Sequence, residues 1–145
     1  MPLPKPEPGL VFGYRYLWAR EADCGVTDGL KDRPCAIVLT KELVNAQLIV
    51  TAVPITHTPP ENPDLALEIP PRVKAHLGLD DAPSWIILSE YNAFIWPGPD
   101  LAPVSRDHPD RFDYGFLPPR LFTDMKNRLI NGLVNKLVDQ VERDA

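Results

Sequence analysis

The sequence predicts a mainly β fold with helices: short antiparallel strands, a small helix over residues 71–78 and a long helix within residues 118–142. Three observations carry that prediction. Apolar runs rich in β-branched residues recur along the chain at strand length, too short for ordinary helices. The 145 residues include 18 prolines, well above the roughly 5% of average usage, and they fall between the runs, where they stiffen loops. Toward the C-terminus the apolar spacing changes. Leu121, Met125, Leu129, Leu133, Leu137 and Val141 recur at four-residue steps with Phe122, Ile130, Val134 and Val138 beside them, the stripe of an amphipathic helix.

Taken in order, residues 1–8 alternate proline with other residues and read as an extended, mobile leader to a single domain spanning residues 9–145. Residues 10–18 have strand composition, and Gly13 within them marks a bulge or a close backbone approach. Residues 19–32 are charged, contain glycines and lack periodicity, so they read as a long loop. Arg33-Pro34-Cys35-Ala36-Ile37-Val38-Leu39 and residues 47–57 are two buried strands joined by a hairpin through residues 40–46. Residues 58–64 form a stiff Pro-rich loop, and residues 65–69 a brief strand. Pro70-Pro71 opens and Gly78 closes the short helix. Residues 84–90 are the next buried strand, and Phe94-Ile95-Trp96 ends at the turn Pro97-Gly98-Pro99.

Bulk properties narrow the functional classes. A hydrophobic content of 44% and a charged content of 24% describe an ordinary globular domain. A net charge of −5 provides no basic field, so any nucleic-acid site must be local. Cys24 and Cys35 make no disulfide framework. The three histidines and two cysteines lack ligand spacing, so neither a metal nor another cofactor is expected. No apolar run approaches a membrane span and the N-terminus lacks a signal-like core, which predicts a cytoplasmic protein without membrane contact.

The central hairpin supplies the functional lead. In an antiparallel pair the start of one strand lies beside the end of the next, which brings Arg33 to Thr56 and His57. A guanidinium, a hydroxyl and an imidazole converging at a sheet end can hold a phosphate. An imidazole can also move a proton near neutral pH. The plainer readings are that Arg33 caps the sheet through an ion pair with Asp32 or Asp28, that Thr56 is an ordinary strand residue and that His57 is a surface histidine. Glu90 and Asp28 are candidate bases, and Trp18, at a loop mouth, is a candidate base-stacking platform.

These features, in this order, resemble the MazF/PemK (Kid) toxin family over roughly residues 9–140. The most specific parts are Arg33-Pro34 at the start of the second strand and Thr56 at the end of the third. The resemblance implies an SH3-like small β-barrel with a long C-terminal helix, acting as the toxin of a type II toxin–antitoxin pair. It implies a metal-independent, cofactor-free endoribonuclease that cuts single-stranded RNA by driving the 2′-OH onto the adjacent phosphate. The family's conserved arginine falls on Arg33 and its strand-end hydroxyl on Thr56. The acidic residue some members carry falls on Asp28, leaving His57 or Asp28 to handle protons. Trp18, Arg20, Lys31, Glu90 and Asn92 are then expected to contact RNA. Where some members carry a basic and acidic pair, this chain has Ser89-Glu90-Tyr91-Asn92. The implied partners are RNA, a cognate antitoxin and a second copy in a homodimer. The alternative on the same fold is a non-catalytic interaction module like CcdB, using the apolar stripe of the last helix.

Overall fold

A computed structural model describes residues 3–25 and 31–143; the expected acid Asp28 lies outside them. Among the described residues there are eight strands: β1 (Leu10–Tyr14), β2 (Arg33–Glu42), β3 (Leu48–Thr56), β4 (Ala66–Glu68), β5 (Trp85–Ile87), β6 (Glu90–Ile95), β7 (Asp113–Phe116) and β8 (Asp139–Glu142). Three α-helices accompany them: α1 (Ala19–Asp23), α2 (Pro71–Leu77) and α3 (Pro119–Val134). None is long and apolar enough to cross a membrane.

The apolar runs become strands buried on both faces, which is why they show little polar alternation. The sheet order is β4-β5-β3-β2-β1-β7, with β6 pairing β3 and β8 pairing β6. All these pairs are antiparallel except β6–β8, which is parallel. Register places Val11 beside Ala36 and Ala36 beside Val53, facing a core completed by Leu77, Met125 and Leu129 of α2 and α3. One residue on, Phe12 lies beside Cys35, and their face builds a second core with Tyr14, Tyr16, Val50 and Phe94. The two cores follow directly from the period of two in a strand. Gly13 is the expected close approach: a Cβ there would lie 2.1 Å from the carbonyl oxygen of Ala102. Both cysteines are free thiols, and burial pushes that of Cys35 well above its usual range.

The predicted mainly β fold with helices is present, including α2 with its left-handed Gly78 cap, φ 73°. Several boundaries differ. The expected loop 19–32 begins with α1, whose Glu21 carboxylate accepts the Trp18 N–H at 3.0 Å and so closes the first turn. The expected strand over residues 84–90 is two strands: β5 ends at Ile87, and Glu90 already belongs to β6. β7 was not foreseen; it is a short strand around Gly115 that covers the free edge of β1.

The largest correction concerns the last helix. α3 stops at Val134 rather than continuing to residue 142. Lys136 adopts the left-handed region at φ 58°, and the Leu137 N–H turns back to the Gly132 carbonyl at 2.9 Å. The chain then runs as β8 along β6, with Val141 and Arg143 buried and Gln140 and Glu142 exposed.

Candidate functional site

Arg33 stands at the first position of β2, immediately before Pro34. A residue before proline is held in an extended conformation, so the guanidinium leaves a fixed strand mouth. Cys35 lies opposite Pro54, and continuing that register sets Arg33 level with Thr56, the last residue of β3. Two neighbouring recesses meet there. One, of about 240 Å³, is lined by Lys31, Arg33, Thr56, His57, Asp80 and Ser84 among others. The other, of about 550 Å³, includes Trp18, Arg20, Arg33, Thr56, Glu90 and Asp139 in its wall. Arg33, Thr56 and Thr58 belong to both, so the first two form part of the divide between the recesses.

The Arg33 guanidinium lies over the Trp18 ring with its carbon 5.1 Å from the centroid, and that of Arg20 lies 4.9 Å from it. Two cations sharing one indole favour an anion beside them. Arg33 Nε is buried and, among the described residues, has no hydrogen-bond partner. A buried donor without an acceptor is costly. An anionic oxygen is the kind of acceptor such a donor suits. The plainer reading of Arg33 loses one support, because Asp32 pairs with Arg15 at 3.1 Å. The Thr56 hydroxyl oxygen accepts the Thr58 N–H at 3.2 Å, which leaves its own hydrogen available to an acceptor in either recess.

The two recesses carry different titratable groups. On the smaller side, His57 Nε2 lies 2.9 Å from Asp80 Oδ2. Asp80 is held below the usual carboxylate range, first by the hydrogen bond from Lys74 and then by that from His57. A lowered carboxyl contributes stability above its unfolded value and loses it as pH falls through the folded one, so this contribution disappears only in acid.

On the larger side, the half-buried Glu90 carboxylate accepts the Ala19 N–H at 2.8 Å and the Tyr16 hydroxyl at 3.2 Å. Desolvation pushes Glu90 up, against the lowering effect of those hydrogen bonds and of Arg20. A carboxyl with a raised folded value stabilises the fold while protonated, and that stability is lost as pH rises through the folded value. Glu90→Gln keeps an acceptor for both hydrogen bonds and removes the penalised charge. Its melting temperature should therefore gain on that of the wild type as pH rises from 4 to 7. Thermal melts across that range check this, and a difference independent of pH contradicts it.

The remaining expected contacts divide. Lys31 and Arg20 line the smaller and larger recess respectively. Asn92 does not belong to the site: it is fully buried. Its amide donates to the Leu17 carbonyl at 2.7 Å, while its Oδ1 accepts the Leu17 N–H at 2.9 Å and Arg143 at 3.1 Å. Its polar atoms are occupied in holding the chain beside Trp18. Trp18 is also not an open stacking platform. It is only 9% exposed, and the guanidiniums lie over its ring, so its part in the site is to carry Arg20 and Arg33. Sequence reasoning missed Lys74, Asp80 and Ser84. The one available signal was that Lys74 lies three residues before Leu77, sharing the inward face of α2.

Among the described residues no three His, Cys, Asp or Glu side chains gather as a metal-ligand group. No protein-family model, curated protein or solved structure matches the chain.

Proposed function

We propose that this chain is a ribonuclease toxin of the MazF/PemK kind, built on an SH3-like small barrel, that cleaves single-stranded RNA by attack of the 2′-OH on the adjacent phosphate. The observation that carries this reading is the buried Arg33 Nε, without a partner among the described residues, at the divide between two recesses, with Thr56 level with it. A phosphate there receives a charge-assisted bond from a planar guanidinium and a bond from a hydroxyl. Charge builds on its nonbridging oxygens during attack, and preorganised donors stabilise that charge.

In-line displacement requires one group to take the 2′-proton and another to protonate the departing 5′-oxygen on the opposite side. His57 in one recess and Glu90 in the other flank the Arg33–Thr56 divide in a way that suits this division. The barrel assignment draws support from β3, which pairs with β2 along most of its length, with β6 over its first half and with β5 at its end. One strand thus turns from one layer into another, as closure requires.

The second reading is a protein-binding module without catalysis. It is favoured by one observation: Ile130, Leu133, Val134 and Leu137 are all exposed at the C-terminal end of α3 and just beyond it. The same surface suits the second copy of a homodimer or an antitoxin segment in the nuclease reading.

The deciding experiment is digestion of a diverse single-stranded RNA pool by the purified wild type, with and without chelator. The nuclease reading expects cleavage at a restricted set of sequences, equally fast with chelator. An intact pool at high enzyme concentration overturns it and leaves the interaction module.

A further inference from the structure

The smaller recess contains an arrangement that the phosphate-binding pair does not require. His57 follows β3 directly, with its side chain 55% exposed, and its partner Asp80 is 58% exposed. Surface ion pairs of this kind are usually mobile and contribute little. This one is anchored from below. Lys74 of α2 has a side chain only 5% exposed, and its ammonium lies 2.9 Å from Asp80 Oδ1. The same ammonium donates to Ser84 Oγ at 2.7 Å and to the Ala82 carbonyl oxygen. All three of its donors are therefore used. The Ala82 N–H adds a further bond to Asp80 Oδ1 at 3.2 Å. Lysine is rarely buried so fully, because removing an ammonium from water is expensive unless it is paired. Here the buried cation fixes one carboxylate oxygen, and the imidazole Nε2 meets both, at 3.0 Å from Oδ1 and 2.9 Å from Oδ2.

We propose that Asp80, anchored by Lys74, is a positioning residue that sets the tautomer and orientation of His57 for proton transfer at the Arg33–Thr56 phosphate site. The chemical role rests on the nuclease reading above; the positioning itself does not. When the ring is neutral, Nε2 carries its proton toward Asp80. Nδ1, which has no protein partner among the described residues, keeps its lone pair. That nitrogen can take the 2′-proton as the new O–P bond forms, with Asp80 stabilising the resulting imidazolium. A base oriented by a third group in this way is a recurring solution in enzymes.

The test pairs kinetics with spectroscopy, using wild type, Asp80→Ala, Asp80→Asn, His57→Ala and the His57→Ala/Asp80→Ala double variant. On an oligoribonucleotide cut by the wild type, Asp80→Ala should lower kcat by about 10-fold to 10²-fold with little change in KM. That is part of the 10²–10⁴-fold that general acid–base catalysis supplies. Asp80→Asn, which keeps an acceptor, should recover part of the loss. The double variant should be no slower than His57→Ala, since the two residues act as one unit. Long-range proton–nitrogen spectra of the neutral ring should show a single Nε2–H tautomer in wild type and a mixture in Asp80→Ala.

Wild-type kcat in Asp80→Ala, or losses that multiply in the double variant, overturn the proposal while leaving the nuclease reading standing. If the wild type cuts no RNA, the nuclease reading fails by itself and the spectra decide the positioning. A single tautomer lost on removing Asp80 upholds it, and a wild-type mixture overturns it.

Discussion

Arg33→Ala should lower RNA cleavage by about 10²–10³-fold, the usual cost of removing a preorganised donor from a site of developing charge, and leave the fold nearly as stable as before. The two halves of this expectation have separate causes. Activity falls because Arg33 is the cation at the divide, and neither Arg20 nor Lys31 lines both recesses as it does. Stability holds because the side chain carries a donor at Nε that is unpaired among the described residues, whose removal relieves a desolvation cost of about 1–3 kcal/mol. Loss of the contact with the Trp18 ring, about 0.5–2 kcal/mol, acts in the opposite direction. Initial cleavage rates together with thermal melts measure both. A variant that melts far below wild type would mean that Arg33 is a structural cap. One that cuts at the wild-type rate would remove it from the chemistry.

The largest effect on stability should come from Arg143. Its side chain is 2% exposed and its Nη2 lies 2.9 Å from the 15% exposed Asp100 carboxylate. Its Nη1 donates to the Arg15 carbonyl at 2.9 Å and to Asn92 Oδ1 at 3.1 Å, and the guanidinium lies over the Tyr14 ring. Arg143→Met leaves a carboxylate and two other acceptors short of a donor. Removing one partner from a buried pair costs about 3–5 kcal/mol, on the order of 10 °C in melting temperature for a chain of this size. Replacing both partners, as in Arg143→Met with Asp100→Leu, should recover much of the loss, because the pair's desolvation cost also disappears. Thermal melts of the single and double variants check this. Because Asn92 passes this anchorage to Leu17, next to Trp18, Arg143→Met should also weaken cleavage, through the ring on which Arg33 rests.

How much of this was legible in the sequence depended on the range of the determining contact. The meeting of Arg33 with Thr56 and His57 needed only strand period, hairpin connectivity and a proline after the arginine, all of which are local. Gly13 and the Pro71–Leu77 helix were legible for the same reason. The end of α3 was not. Leu133, Leu137 and Val141 continue the four-residue step, while the stop is Lys136 in a left-handed conformation that carries no glycine to announce it. What turns residues 139–142 into a strand is the exposed edge of β6, a partner distant in the chain.

Burial was equally hidden wherever it involved a polar residue. Asn92, expected to contact RNA, is fully buried, and Lys74, on a short helix, has a side chain 5% exposed. Each is stabilised by partners from other elements, Leu17 and Arg143 in one case and Asp80 and Ser84 in the other. Trp18 lines the larger recess, but under guanidiniums rather than open to a base, and one of those that cover its ring comes from β2.

The claim at the centre of this account is that the Arg33–Thr56 pair holds a scissile phosphate attacked by the neighbouring 2′-oxygen. The most direct measurement uses two oligoribonucleotides that differ in one atom, the 2′-oxygen of the nucleotide 5′ to the cleaved bond. The ribose substrate should be cut to a product ending in a 2′,3′-cyclic phosphate, and the 2′-deoxy substrate should bind with similar affinity and remain intact. Cleavage of the deoxy substrate, or a product that never carries the cyclic phosphate, would contradict the account.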